Sequence, residues 1–169
     1  MSTELILERL GDARRLSAVA RTGWSDSPPE AEFDRLTRLA ARVLDVPATF
    51  IALVERERDF YKSQFGFGEP LASVRQLEGR TFCHFAISSD GPLAIGDAER
   101  DPVYRDVPTV KTLGVRAYLG IPLVIDGQPI GSFCAIDFEP REWSELDIEV
   151  MTELATSTLR ELKLRQAGA

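Results

Sequence analysis

Arg116-Ala117-Tyr118-Leu119-Gly120-Ile121-Pro122-Leu123-Val124-Ile125 and Pro129-Ile130-Gly131-Ser132-Phe133-Cys134-Ala135-Ile136-Asp137-Phe138 are two strand-like runs joined through Asp126-Gly127. An Asp-Gly pair suits a type I′ turn, whose two central residues both need positive φ and whose twist matches that of the flanking strands. The stretch therefore predicts an antiparallel hairpin. Beyond it, Ser144 precedes a helical pattern and Asp147 places a carboxylate in its first turn, so a capped helix is expected to about Leu164. Leu146, Val150 and Leu154 form one apolar track on that helix; Ile148, Met151, Ala155 and Leu162 form another. One track can cover a sheet and leave the other for a partner helix.

Upstream of the hairpin lies a long loop holding Pro102 and Pro108, and before it a short strand, Pro92 to Gly96. A short helix is expected near Thr81, with Phe82, Phe85 and Ala86 as its packing face. Gly66 to Glu78 reads as irregular. Thr49 to Val54 reads as a buried strand, and a turn at Glu57-Arg58 leads to a second, Asp59 to Phe65. Strict alternation on the second strand sends Phe60, Lys62 and Gln64 one way and Tyr61, Ser63 and Phe65 the other. Ser27-Pro28-Pro29-Glu30 is a capping-box signature for a helix to about Leu44, with Phe33, Leu36, Thr37, Ala40, Val43 and Leu44 on one face. Thr3 to Ala20 reads as a single helix with Ile6, Leu10, Ala13 and Ser17 in one stripe. Antiparallel neighbours joined by short turns, with helices at both ends, predict an α+β sandwich.

The 169 residues suit one domain with helical extensions. Hydrophobic residues at 44% and charged residues at 28% argue against disorder. The net charge is −7 and the basic residues are scattered among acidic ones, so no nucleic acid partner is expected. The N-terminus lacks the apolar core of a signal peptide, and no apolar run approaches the ~20 residues that span a bilayer. With only Cys83 and Cys134 present, the expectation is a cytoplasmic protein with no membrane partner.

Five pieces sharpen the picture. Phe60-Tyr61-Lys62-Ser63-Gln64-Phe65-Gly66, Arg80-Thr81-Phe82-Cys83 with Ile87, Asp97-Ala98 with Asp101-Pro102-Val103-Tyr104 and Pro108, Tyr118-Leu119-Gly120-Ile121-Pro122-Leu123, and Ile130-Gly131-Ser132-Phe133-Cys134-Ala135-Ile136-Asp137 occur in this order over about 130 residues. Together they resemble a bacterial GAF domain. The resemblance implies a central antiparallel sheet of five or six strands. Terminal helices would cover one face; the short helix and long loop would enclose a ligand cavity on the other. It divides the chain into an N-terminal signalling helix and linker at 1–26, a GAF domain at 27–164 and a tail at 165–169. Three departures bear on the pocket's polarity: His84 follows Cys83 where a small residue is common, Phe85 replaces a frequent histidine, and Phe60 stands where tryptophan is common.

Candidate chemistry centres on Cys83. If Thr81 caps the short helix, the thiol lies in its first turn, where the dipole lowers thiol pKa and favours redox sensing or ligand contact. The alternative is a small buried hydrophobe between Phe82 and Phe85. Cys134 reads as structural, and pairing with Cys83 requires the fold to bring them together. His84, the one histidine, is suited to a hydrogen bond with a ligand or backbone group, or to plain solvation. One His and two Cys do not make a four-ligand zinc site, and no Gly-x-Ser-x-Gly elbow or phosphate-binding glycine loop occurs. The Cys-His pair is also found at bilin attachment sites of phytochrome-type GAF domains. There it falls in the stretch matching Pro108 to Val115, which here holds neither residue, so bilin attachment is not expected. Tyr61, Asp97, Tyr118 and Phe133 are candidates to line a pocket with Cys83 and His84. Asp97, Glu99 and Asp101 lack the spacing of a calcium loop.

The leading expectation is a sensory domain, not an enzyme. It would bind an unidentified small molecule and signal through its terminal helices, as a homodimer, to an effector domain or signalling protein. No cofactor is specified, and the Asn-Lys…Phe…Asp-Glu pattern of cyclic-nucleotide GAF domains is absent, which disfavours cyclic GMP. Two alternatives stand beside it: a reductase of free methionine sulfoxide or other thiol-redox enzyme, and a dimerisation module without a ligand.

Overall fold

The computed structural model describes residues 2–168. In chain order it holds α1 (Thr3–Gly11), α2 (Ala13–Arg21), α3 (Ala31–Leu44), β1 (Ala48–Val54), β2 (Arg58–Phe65), α4 (Leu71–Val74), β3 (Gln76–Glu78), α5 (Phe82–Ala86), β4 (Leu93–Ile95), α6 (Pro108–Thr112), β5 (Ala117–Ile125), β6 (Gln128–Asp137) and α7 (Glu145–Ala167). The six strands make one antiparallel sheet in the order β3-β2-β1-β6-β5-β4. Asp126 and Gly127 take φ of 50° and 77°, as the hairpin turn demands. The α+β sandwich and six-stranded sheet agree with the sequence reading.

Alternation along β1 divides the interior into two cores. Ile51 and Leu53 join α2, α3 and α7 on one face, through Val19, Phe33, Leu44 and Met151. Phe50, Ala52 and Val54 join α5 and α6 on the other, through Phe82, Ile87 and Val110. Ser144 and Asp147 complete both arms of the capping box of α7. Among the described residues, no helix is long and apolar enough to cross a membrane.

Gly66 to Glu78, read as irregular, holds α4 and β3, the long loop holds α6, and Val43, read on the packing face of α3, is exposed. Three further local features depart from the sequence reading and reshape the packing. The N-terminal helix is two helices, broken at Asp12, whose carboxylate accepts from the Arg15 backbone N–H at 2.8 Å and caps α2. The break rotates the packing stripe. Ile6 and Leu10 reach the α5 side, Ala13 and Ser17 are exposed, and Arg15, Ala18 and Val19 are buried. Arg15 donates to the carbonyls of Arg9 and Val54, each at 2.8 Å, and to those of Leu10 and Pro129, each at 3.3 Å. Burial lowers its pKa to about 10, so it stays charged at neutral pH. Its fork fastens the α1–α2 junction to the ends of β1 and β6.

The second departure is the start of α3, which begins at Ala31 rather than after Ser27. Lys62 explains it. This 1%-exposed lysine donates to Ser27 Oγ at 2.7 Å and Pro28 O at 2.8 Å, and pairs with Glu30 at 2.6 Å. The would-be capping residues are thereby engaged by a strand. The third is a bulge in β2: Ile51 pairs with Ser63 but Ala52 with Tyr61, which leaves Lys62 as the extra residue. Ser63 therefore shares the α3 side with Lys62, where its hydroxyl donates to Asp34 Oδ1 at 2.6 Å and lies 2.9 Å from Thr37 Oγ1.

Candidate functional site

On the α4–α6 side of the sheet the chain leaves a cavity of about 180 Å³. Strands β1 and β2 supply its floor through Ala48, Phe50, Asp59 and Tyr61, with Ile136 from β6. Phe67 to Leu71, entering α4, forms one wall; Phe82 and Cys83 of α5 and Thr109 near the start of α6 form the others. Phe50, Tyr61 and Phe67 pack as a trio, with centroids 5.0 to 5.4 Å apart. Phe82 stacks on Tyr118 at 4.9 Å and an interplanar angle of 17°. Gly120 makes the Tyr118 position workable, since a Cβ there would collide with the phenol ring.

The polar content of this apolar chamber is small. Asp59 is 0% exposed, and its Oδ2 accepts from Thr81 Oγ1 at 2.6 Å. Its Oδ1 has no hydrogen-bond partner among the described residues. The His84 Nε2 lies 3.6 Å away, beyond hydrogen-bond distance. Thr81 does precede α5, but it gives its hydroxyl to Asp59 and makes no side-chain cap among the described residues.

Behind the cavity wall sits a thiol cluster. Cys83 Sγ lies 3.8 Å from Cys134 Sγ, and both thiols are buried. Tyr118 Oη is 3.0 Å from Cys134 Sγ and 3.8 Å from Cys83 Sγ, and Ser132 Oγ is 3.0 Å from Cys134 Sγ. The contact with Cys134 and then burial hold the Cys83 thiol well above its ordinary 9.0. Of the two readings of Cys83, the buried thiol fits the small hydrophobe and not the dipole-lowered one. Helix α5 has only five residues, and desolvation in an apolar wall outweighs its small dipole. Burial likewise raises Tyr61 and Tyr118 well above 10.0.

Of the six candidate residues, Tyr61 and Cys83 face the cavity. His84 stands beside Asp59, and Tyr118 is fully buried behind Cys83. Asp97 and Phe133 lie elsewhere. Arg116 holds both Asp97 carboxylate oxygens, at 2.8 and 2.9 Å, away from the cavity. Phe133 belongs to the opposite core, because alternation along β6 turns Cys134 and Ile136 to the cavity side and Phe133 and Ala135 away. Asp59 and Phe50 were missed. Asp59 had a readable signal: it lies two residues before Tyr61, hence on the same strand face.

The layers and chamber define a class, an α+β sandwich domain with a ring-sized apolar cavity on one sheet face. The chain belongs to the GAF domain family, whose model matches residues 28–161. It is 29% identical over 145 residues to a cyclic di-GMP phosphodiesterase of Pseudomonas aeruginosa; the match covers 83% of this chain and 24% of that protein. The chain thus spans about a quarter of the length of that curated relative. The blue-light-absorbing form of the Thermosynechococcus elongatus PixJ GAF domain is similar in fold, with TM-score 0.65, 22% identity and coverage of 92% of this chain and 91% of that one. A free methionine-R-sulfoxide reductase from Neisseria meningitidis, solved with its substrate, superposes with TM-score 0.67, 19% identity and coverage of 100% and 96%.

These likenesses correct one expectation. The reading of the chain as a non-enzyme does not stand, because the curated relative is a phosphodiesterase by name and the shared fold serves a reductase. Membership of a sensory family does not remove catalysis from the field.

Proposed function

We propose that this GAF domain is a sensory module that holds a small molecule in the cavity and passes its occupancy to the terminal helices. The cavity carries the reading: an aromatic-walled space of about 180 Å³ beneath three short helices and their loops. A dry apolar cavity of about 150 Å³ already admits benzene, so the space suits a single-ring ligand rather than a cyclic dinucleotide. A route outward supports the signalling half. Tyr61 meets the cavity, its neighbour Lys62 pairs with Glu30 at 2.6 Å, and Glu30 pairs with Arg165 of α7 at 2.7 Å. Exposed Leu5, Leu7, Leu146 and Leu164 on α1 and α7 support a homodimer contact through residues 1–26 and the C-terminal helix. The Pseudomonas aeruginosa likeness supports an effector in cyclic di-GMP turnover.

Native mass spectrometry of the protein purified from its own host tests the reading. A retained small molecule that is lost on Leu71→Trp supports it. A bare protein whose stability no single-ring compound alters overturns it.

A second reading rests on the two sulfurs 3.8 Å apart. Cys83 and Cys134 can act as a thiol-redox pair. A hydroperoxide takes two electrons and two protons from the thiols, the disulfide forms, and the oxidant leaves as water and an alcohol. Loss of two hydrogens in the intact mass after peroxide treatment, abolished in Cys83→Ser, supports this. Turnover of free methionine sulfoxide with a thiol reductant, lost in the same variant, extends it to a reductase.

A further inference from the structure

We infer that the cavity selects ligands carrying an amino or amidinium group, which Asp59 Oδ1 receives. The inference rests on the reading of the cavity as a ligand site and adds the chemical class of the ligand. Asp59 is a carboxylate with no exposure in a mostly aromatic and aliphatic lining, whose other polar side chains are the hydroxyls of Thr81 and Thr109 and the exposed carboxylate of Glu69. A buried carboxylate is stabilised by several donors, and this one has a single donor, the Thr81 hydroxyl at 2.6 Å on Oδ2. The described residues offer no second hydrogen-bond donor. His84 Nε2, at 3.6 Å, is within ion-pair reach when protonated but short of a hydrogen bond. Arg15, whose charge reaches Asp59 only at a distance, spends its guanidinium on the carbonyls of Arg9, Leu10, Val54 and Pro129.

The unfilled acceptor therefore belongs to a residue that also walls the cavity. A binding site of this kind uses a few fixed polar groups to orient a largely apolar ligand. An acceptor-only carboxylate selects an N–H donor, and a positively charged one above a neutral one. A carboxylate or phosphate ligand is rejected by the same charge. The cavity volume sets the size of the body at one ring. Benzylamine fits these terms, and benzyl alcohol is its neutral counterpart of equal size.

The test titrates both probes into the isotope-labelled protein and follows the amide signals of Tyr61, Leu77 and Cys83 by NMR. Expected is binding of benzylamine about ten-fold tighter than benzyl alcohol, the scale of one charge-assisted hydrogen bond over a neutral one. In Asp59→Asn the preference collapses, the two probes binding within about two-fold of each other. Should Asp59→Asn fail to fold, benzoate in the native protein replaces it, with exclusion from the cavity the expected result. Equal binding of amine and alcohol, or entry of benzoate, overturns the ligand class and leaves the cavity reading standing. Failure of all probes to move those signals overturns both. A buried water that satisfies Oδ1 permanently shows itself as equal binding of the two probes.

Discussion

The two faces of one sheet are built to different standards. On the α2–α3–α7 face, Phe33 is fully buried beneath Lys62 and Arg165, whose charged ends lie 5.7 Å from its ring centre, and those cations are tied together through Glu30. On the α4–α6 face, the chain leaves an open cavity, one unsatisfied carboxylate oxygen and two reduced thiols in contact. Each face leaves one buried side-chain polar atom unpaired among the described residues, Trp24 Nε1 on the first and Asp59 Oδ1 on the second, so the cavity is what separates them. Voids and unmet acceptors are retained where a ligand completes them. On the function proposed above, the first face holds the fold and the second meets the ligand.

Truncating aromatic residues on each face probes the contrast most strongly. Phe33→Ala is expected to cost about 3–5 kcal/mol in denaturant unfolding, the range for an aromatic lost from a full core. Phe67→Ala, at a cavity wall that is already half-open, is expected to cost about 1–2 kcal/mol. Equal losses would erase the distinction between the faces. Lys62→Met comes next, at about 2–3 kcal/mol, since it strips donors from Ser27, Pro28 and Glu30. A loss much below that would mean the buried lysine serves register more than stability.

Alkali sharpens the same comparison with a smaller effect. Tyr61, Cys83 and Tyr118 all lie on the cavity side and are raised by burial or thiol contact. A group whose folded pKa is raised contributes stability below its unfolded pKa and loses it as pH rises. Stability should therefore hold to about pH 9 and fall above it as the unfolded thiol and phenols ionise, read from the midpoint of thermal unfolding. Alkylation of Cys83 in the folded protein should be slow at neutral pH for the same reason. The smallest effect is expected at the surface: Arg116→Ala removes the solvent-screened pair with Asp97 and should leave the midpoint of thermal unfolding nearly unchanged.

How much of this was readable depended on where each cause lies along the chain. The capping box of α7 involves residues three apart, and the hairpin turn needs two adjacent ones, so both were legible. The pocket was read in part. Tyr61 and Cys83 were found from motif and aromatic character, whereas Phe133 was assigned to the wrong face because an apolar run on both sides of β6 hides which residue points where. Asp59 was passed over because its meaning comes from Thr81, 22 residues on, and from the cavity they share.

Composition, turn chemistry and capping alone determined an α+β sandwich with a terminal hairpin and long final helix. Those features follow from residues that touch within a few positions of one another. Only the tertiary structure decided the bulge that turns Lys62 and Ser63 to one side, the meeting of Cys83 with Cys134 and the unfilled acceptor on Asp59. Each depends on strand register and on contacts closed over tens of residues, where a shift of one position sends a side chain to the other face.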